Sequence, residues 1–439
     1  MRGGVDPARR AARRVLGDVR AGAYADRAAE RRLAGLEGRD RALALELAFG
    51  TIRMRGRVDA ELARLVDRPL ARLDPEILDW LRLGLYQLRE TRIPAHAAVH
   101  ETVAGARTEL GRGAAGLLNA VLRRATREEV PVGTFPDRER DPVGWLAAHG
   151  SHPEWLVRRW LDRWPLADVE RLVEYDNRPP PVTLRVLGEP PAGPVTRPGG
   201  IRLEPVPGHP RSLLLREGTP EEALNAVRAV VQDPAASAVV DYVGPRIAGP
   251  VLDACAAPGG KAAALADLAV GARPFVAADA SPSRLRAAAL GLRRIGSDVS
   301  VAAMDARRPA LRSARTVLVD APCSGTGALR RRPDARWRLS PRRLASLLRL
   351  QAELLDACSA LLPPGGLLVY ATCSLEREEN ERQVEEFLLR RPDFERASPG
   401  GGEVSPELLT ARGDLEVLPF RTGADGAYAS RLRRKGEAG

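Results

Sequence analysis

The stretch Val251-Leu252-Asp253-Ala254-Cys255-Ala256-Ala257-Pro258-Gly259-Gly260-Lys261, followed by Ala262-Ala263-Ala264, decides how the second half of this chain folds. Apolar residues lead to an acid, the chain then turns through Pro-Gly-Gly, and a run of alanines follows. That order reads as strand, tight turn, helix. Glycines at 259 and 260 let the backbone approach a ligand closely. The spacing is neither G-x-G-x-x-G nor G-x-x-x-x-G-K-[ST], so it matches neither a dinucleotide fingerprint nor a triphosphate loop.

Outward from this turn the strand–helix alternation continues. Strands are expected at 275–279, 299–302, 316–320 and 367–370, with helices over 282–294 and 341–362. Short apolar strands separated by helices give a mainly parallel sheet covered on both faces. Ligands of such sheets bind beyond the carboxyl ends of the strands. Acids and thiols gather there: Asp253, Asp279, Asp305, Asp320, and Cys323 and Cys373 in "DAPCSG" and "YATCSL".

Upstream, residues 5–128 read as all-helical, opened by the N-cap pair Asp6-Pro7. After a break at 130–136, the segment 152–164 is expected as an amphipathic helix with Trp155, Leu156, Trp160 and Leu161 on one side, stopped by Pro179-Pro180-Pro181. Short β pieces at 182–186 and 213–215 flank a Pro/Gly-rich loop at 189–200. The expected division is 1–130, all-α; 140–222, a small α+β segment; and 223–439, α/β.

A chain of 439 residues, 44% hydrophobic, suffices for two or three domains. No apolar run reaches membrane length, and residues 1–6 lack a signal-peptide pattern, so a cytoplasmic protein without membrane contact is expected. The four cysteines are then free thiols, none spaced as zinc ligands. His96 and His100 stand at i, i+4 but lack an acidic third ligand, so no metal is expected. The net charge of +11 suits a polyanionic partner. Arginine is abundant throughout, so only its local placement informs. Arg330, Arg331, Arg332, Arg336 and Arg338 crowd around Trp337, a combination suited to phosphate contact and base stacking, or to a solvated surface.

Asp279 stands about twenty residues after the glycine turn, where an acid accepts hydrogen bonds from a ribose diol and repels a second phosphate. Asp305 follows the next strand, where a carboxylate can accept from an adenine amino group. Adenosine without phosphate, as in S-adenosylmethionine, suits this set. Taken singly, either acid also reads as a helix cap before Pro282 or Pro309. The cysteines add a nucleophile. Thiolate addition at C6 of a pyrimidine makes C5 nucleophilic enough to take a methyl group. Such a site needs one attacking cysteine, an acid for the Watson–Crick edge, which Asp320 can supply, and a route for release, in which a second cysteine can assist. Cys358, in "LLDACSALL", and Cys255 read more simply as buried apolar residues.

"DACAAPGGK", "DAPCSGTG" and "YATCSLEREENE" together resemble the RNA cytosine-C5 methyltransferases. With "LNAVLRR" at 118–124, "SHPEWLVRRW", "NRPPPVTLRV" and "VQDPAASAVV", the likeness extends over nearly the whole chain to the bacterial 16S rRNA type, RsmB (Sun, Fmu). The resemblance implies a NusB-like helical RNA-binding domain, a small α+β RNA-binding or linker segment, and a Rossmann-like catalytic domain. It implies S-adenosylmethionine as cofactor and 16S rRNA as partner. It implies that Cys373 is the nucleophile and Cys323 assists release, and that Asp320 and Lys261 face the cytosine. It places Cys255, Ala256, Ala257, Pro258, Gly259, Gly260, Lys261, Asp279, Asp305 and Asp320 at cofactor positions. Ala262, where the family often has Thr or Ser, and "DGAYAS" at 425–430, in place of Asp-Gly-Phe-Phe, depart from the pattern. A monomer is expected. The same chemistry on tRNA or 23S rRNA, and a non-catalytic RNA-binding assembly factor, are the alternatives.

Overall fold

The computed structural model describes residues 6–197, 200–399 and 404–436. Residues 1–5, read above for a signal pattern, and 198–199 of the Pro/Gly-rich loop lie outside them. The chain divides into two compact units, Met1–Pro179 with Leu329–Arg338, and Pro180–Ala328 with Leu339–Gly439. The helical part of the 140–222 segment thus belongs to the first unit and its strands to the second.

Helices start where an acceptor side chain precedes proline. Asp6, Asp74, Asp141, Asp233, Ser281 and Ser340 each accept a backbone N–H of the first turn, and each is followed by Pro. Proline loses nothing at a position whose N–H has no intrahelical partner.

The N-terminal part of the first unit is built from helices Pro7–Arg20, Ala25–Arg32, Gly38–Arg53, Arg55–Leu65, Pro75–Glu90 and Ala95–Arg127. Their inward residues, among them Leu47, Trp80, Leu81, Leu85, Leu118 and Leu122, form one core. A Cβ on Gly105 would lie 2.3 Å from the Trp80 ring, so only glycine lets that indole against the last helix. The segment expected as one helix over 152–164 is shorter, Glu154–Leu161, and Pro165 opens a second helix, Leu166–Asn177, before the proline run. Leu156, Val157 and Trp160 are buried, whereas Trp155 and Leu161 are only half-buried.

Of the residues expected as an RNA-contact cluster, Arg336 requires correction. Arg336 is fully buried. Its Nη1 donates to the carbonyls of Ser151 (2.9 Å) and Arg53 (3.4 Å) and to Asn177 Oδ1 (2.8 Å), and its Nη2 donates to the carbonyl of Asp176 (3.2 Å). Arg53, Asp176 and Asn177 end helices, where unpaired carbonyls and the negative dipole end favour a cation. Trp337 Nε1 donates to the carbonyl of Ile52 at 2.8 Å, and its half-buried ring packs on the helical core. Arg338 is ion-paired with Asp334 at 2.9 Å and lies over the Tyr24 ring. Arg330 donates to the carbonyls of Arg178 and Pro179 and lies over Tyr175. Arg330, Arg336 and Trp337 thus donate to carbonyls at or near helix ends. Arg331 is half-buried and Arg332 exposed.

The second unit holds two sheets. The smaller contains β1 (Thr183–Val186), β2 (Val195–Arg197), β3 (Ile201–Val206), β4 (His209–Glu217) and β5 (Ala229–Val231), in the order β2-β3-β4-β1-β5. The larger contains β6 (Val251–Asp253), β7 (Phe275–Asp279), β8 (Ser300–Ala303), β9 (Thr316–Asp320), β10 (Leu367–Thr372), β11 (Phe394–Arg396), β12 (Leu415–Val417) and β13 (Ala427–Arg434). Its order is β11-β13-β10-β9-β6-β7-β8, with β12 beside β13. Strands β6 to β10 are parallel to one another, and β13 runs antiparallel to β10. This is a doubly wound, Rossmann-like sheet. The chain moves outward from β6 through β7 to β8, then crosses back to β9 and β10. The strand order therefore reverses between β6 and β9, and the carboxyl ends of strands at such a reversal are where folds of this kind bind ligands.

Candidate active site

Register brings the two cysteines together. Ala371 of β10 pairs with Asp320 of β9, and the Ala321 N–H donates to the Ala371 carbonyl at 2.8 Å. The "APCS" loop and the "TCS" loop thus leave the sheet side by side. Cys323 Sγ lies 3.3 Å from Cys373 Sγ, and both are free thiols. The Gly327 N–H donates to the Cys373 carbonyl at 3.0 Å. A Cβ on Gly327 would lie 2.7 Å from Gly426, so both glycines are needed for the loop to close on the turn before β13. The departure at "DGAYAS" leaves that packing intact: Tyr428 is buried, and its hydroxyl donates to Asp414 at 2.7 Å. Ala262 is likewise fully buried.

Lys261 stands in the first turn of helix Gly260–Leu268, which follows β6. Its Nζ donates to Asp320 Oδ2 at 2.8 Å. Burial opposes the ammonium charge, but Asp320, with Cys373 and Asp253, holds the Lys261 pKa above its ordinary value. The lysine is therefore a fixed cation beside the thiols. The Cys323 thiol is pushed well up by its hydrogen bond with Cys373, by burial and by the charges of Cys373 and Glu379. Burial also pushes up Cys255, and takes Cys358 to about 12. Neither is disposed to act as a nucleophile.

The carboxylates lie along the same edge. Asp253 is fully buried, and neither of its side-chain oxygens has a hydrogen-bond partner. Burial and the charge of Asp320 push it up to about 8, while Lys261 and the nearby Cys255 amide only partly offset them. Asp279 accepts from the N–H groups of Ala257 (3.3 Å) and Ser281 (2.8 Å) and from Arg284 (2.9 Å). The cap of the following helix is Ser281, so Asp279 is not spent as a cap. Asp305 follows β8, is partly exposed, and is paired with Arg307 at 2.7 Å, whose hydrogen bonds hold it below the usual carboxylate range. No helix follows it for it to cap.

These residues fit S-adenosylmethionine. A buried carboxyl with two unpaired oxygens at the end of β6 is matched to a ligand carrying donors and positive charge. Gly259 has φ 99, and a Cβ there would come within 3.0 Å of Ala288, so the cradle tolerates no side chain. Cys255, Ala256, Ala257, Pro258 and Gly260 complete this turn.

One residue that carries the site went unassigned in the sequence. Glu379, fully buried, accepts from Ser324 N–H (2.8 Å), from Gln351 Nε2 (2.9 Å), and from the hydroxyls of both Ser324 and Ser374. Its signal was the Ser that follows each cysteine. Among the described residues no helix is long and apolar enough to cross a membrane, and no group of His, Cys, Asp or Glu is arranged to hold a metal.

The family described as 16S rRNA methyltransferase RsmB/F matches residues 242–433, the NusB family residues 6–127, and an RsmF/B-like ferredoxin-like domain residues 152–187. The chain is 39% identical to a Mycobacterium tuberculosis protein named as a methyltransferase, over 98% of this chain and 97% of the other. It is 36% identical to ribosomal RNA small subunit methyltransferase B of Salmonella paratyphi B, over 90% and 91%. Among solved structures it is similar in fold to PH0851, with a TM-score of 0.76, 22% identity and coverage of 97% of this chain and 99% of that one. It is also similar to a methyltransferase homologue from Pyrococcus horikoshii, with a TM-score of 0.52, 24% identity and coverage of 66% and 97%.

Proposed function

The chain belongs to the RsmB/F family of 16S rRNA methyltransferases, and we propose that it methylates C5 of one cytosine in 16S rRNA through a covalent adduct with Cys373. It is an S-adenosylmethionine-dependent rRNA methyltransferase with a NusB-like helical domain ahead of a Rossmann-like one. In this reading residues 1–130 and 140–222 serve RNA binding, residues 223–439 carry the chemistry, and one chain suffices.

The target base leaves its stack to reach the sulfurs. The Cys373 thiolate adds to C6, and the C5=C6 electron pair moves to C5. The hydrogen bond with Cys323, 3.3 Å away, and the Lys261 ammonium both favour negative charge on Cys373. Asp320, oriented by Lys261, engages the Watson–Crick edge. S-adenosylmethionine supplies the methyl group, and Asp253, the 255–261 turn, Asp279 and Asp305 would hold it. C5 then carries both a methyl group and its original proton. Cys323, having passed its own proton to solvent, takes the C5 proton as a thiolate, the C–H electron pair re-forms the C5=C6 bond, and the S–C6 bond breaks to return the Cys373 thiolate.

The observation that carries this reading is the pair of free thiols beside the Lys261–Asp320 ion pair at the strand-order reversal. Methyl transfer from labelled S-adenosylmethionine to a 16S rRNA transcript tests it. Cys373→Ala is expected to abolish transfer, and retained transfer would overturn the assignment.

A further inference from the structure

The mechanism above needs two sulfurs on separate loops to act on one base, but it does not say what keeps those loops in step. The hydrogen bonds around Glu379 do. Ser324, directly after Cys323, gives Glu379 its amide and its hydroxyl. Ser374, directly after Cys373, gives it a hydroxyl. The neighbouring residue extends the clamp: Asn380 Nδ2 donates to the Ser374 carbonyl at 2.9 Å, and Thr372 Oγ1 donates to Asn380 Oδ1 at 2.7 Å. The strand anchors the clamp in turn, because the Tyr370 hydroxyl donates to the Glu379 carbonyl at 2.7 Å. A second tie runs directly between the loops, from Leu375 N–H to Thr326 Oγ1 at 2.9 Å. Gln351, from helix Pro341–Ser359, bridges Glu379 and the Pro322 carbonyl, both at 2.9 Å.

Burial pushes the Glu379 carboxyl up, and its donors from Ser324, Ser374 and Gln351 oppose that; ionised, it is an acceptor only, and it receives donors from both loops. Burying a carboxylate is costly unless such donors compensate it, so chain folding alone gives no reason to place one here. A hydrophobic residue would fill the space without tying the loops. We propose that Glu379 is a positioning residue that locks the Cys323 and Cys373 loops into one rigid unit, so that release follows attack on the same base. This rests on the covalent reading above and adds to it a residue that touches neither reacting sulfur nor base.

The test compares Glu379→Ala, Glu379→Gln and Ser374→Ala in the full chain, with a 16S rRNA transcript as substrate and Cys323→Ala as reference. Three quantities are read: turnover, the fraction of protein covalently bound to RNA on denaturing gels, and S-adenosylhomocysteine affinity by calorimetry. A displacement near 1 Å at a reacting centre costs about 100-fold. Glu379→Ala is expected to lose about 100-fold or more in turnover, to accumulate adduct toward the Cys323→Ala level, and to keep cofactor-product affinity within about two-fold. Glutamine keeps an acceptor for the amides and offers an amide to the hydroxyls, so Glu379→Gln is expected to recover turnover to within about ten-fold of wild type. Ser374→Ala, which cuts one arm, is expected to fall between them and to fold like wild type. Near-wild-type turnover in Glu379→Ala would overturn the proposal. So would a loss accompanied by lost S-adenosylhomocysteine affinity and no rescue by glutamine, which marks a purely structural role. An active wild type with no adduct in Cys323→Ala would instead overturn the covalent reading itself.

Discussion

Cys323 Sγ and Cys373 Sγ stand 3.3 Å apart at the ends of adjacent parallel strands, and neither is oxidised. The pairing of Ala371 with Asp320 puts them there, because both loops leave the sheet at one level. In the proposed mechanism these two thiols, with a lysine beside them, divide labour between a nucleophile and a partner that assists release.

That division predicts opposite phenotypes. Cys323→Ala is expected to form adduct at C6, transfer the methyl, and stall, so a protein–RNA species persists on denaturing gels. Cys373→Ala, and the double variant, are expected to give no such species. Rapid release by Cys323→Ala would remove Cys323 from the release step.

The Lys261–Asp320 pair predicts a loss of rate that is not a loss of fold. Asp320→Asn keeps a hydrogen-bonding group but removes the charge that holds the Lys261 ammonium in place. A positioned proton donor or acceptor contributes about 100- to 10,000-fold, so kcat is expected to fall by at least about 100-fold. The melting temperature should change little, because the pair is partly exposed. Steady-state kinetics with circular dichroism melts checks both.

Asp253 predicts a pH slope in stability. Burial pushes its carboxyl up to about 8 in the folded chain. The unfolded value is about 3.9, so between about pH 4 and pH 8 the folded protein holds a proton that the unfolded protein has lost. Stability therefore falls as pH rises through that window. Asp253→Asn should match wild type near about pH 4 and melt higher near about pH 8 in the absence of cofactor. Equal melting temperatures for both proteins at the two pH values would contradict the burial effect. Asp176, pushed up to about 7 in the first unit, contributes with the same sign.

Arg336 predicts a structural effect with no RNA signature. Arg336→Met removes this donor from the carbonyls of Ser151 and Asp176 and from Asn177 Oδ1 in a buried site, while the Arg53 carbonyl keeps the Ser151 hydroxyl. Losing the charged partner of such a buried network costs about 3–5 kcal/mol, read from denaturant melts. Arg336→Lys is not expected to restore it, because a lysine cannot fork to four acceptors. A phosphate-contacting arginine would lower the salt slope of RNA binding by about one, and Arg336→Met should leave that slope unchanged.

Much of the catalytic sheet was legible because its strands are short, apolar and bounded by turn residues, and because each acid or thiol closes one. The smaller sheet was only partly legible. Strand β3 carries Pro205 and β2 is three residues long, so neither shows a clear alternation. Glu379 was hidden in "LEREENE", where a run of charge reads as solvent-facing helix, and only the fold shows that donors from two distant loops converge on it. Arg336 misled for the converse reason. Its neighbours in sequence are basic, but its partners are helix-end carbonyls far away in the chain, and no local pattern announces them.

C5 methylation of a cytosine in 16S rRNA by way of Cys373 is checked by bisulfite sequencing of total RNA from cells with the gene, without it, and complemented by wild type or Cys373→Ala. One protected 16S cytosine should be lost without the gene, restored by wild type and not restored by Cys373→Ala. A mark lost from tRNA or 23S rRNA instead, or no change in any RNA, would contradict it.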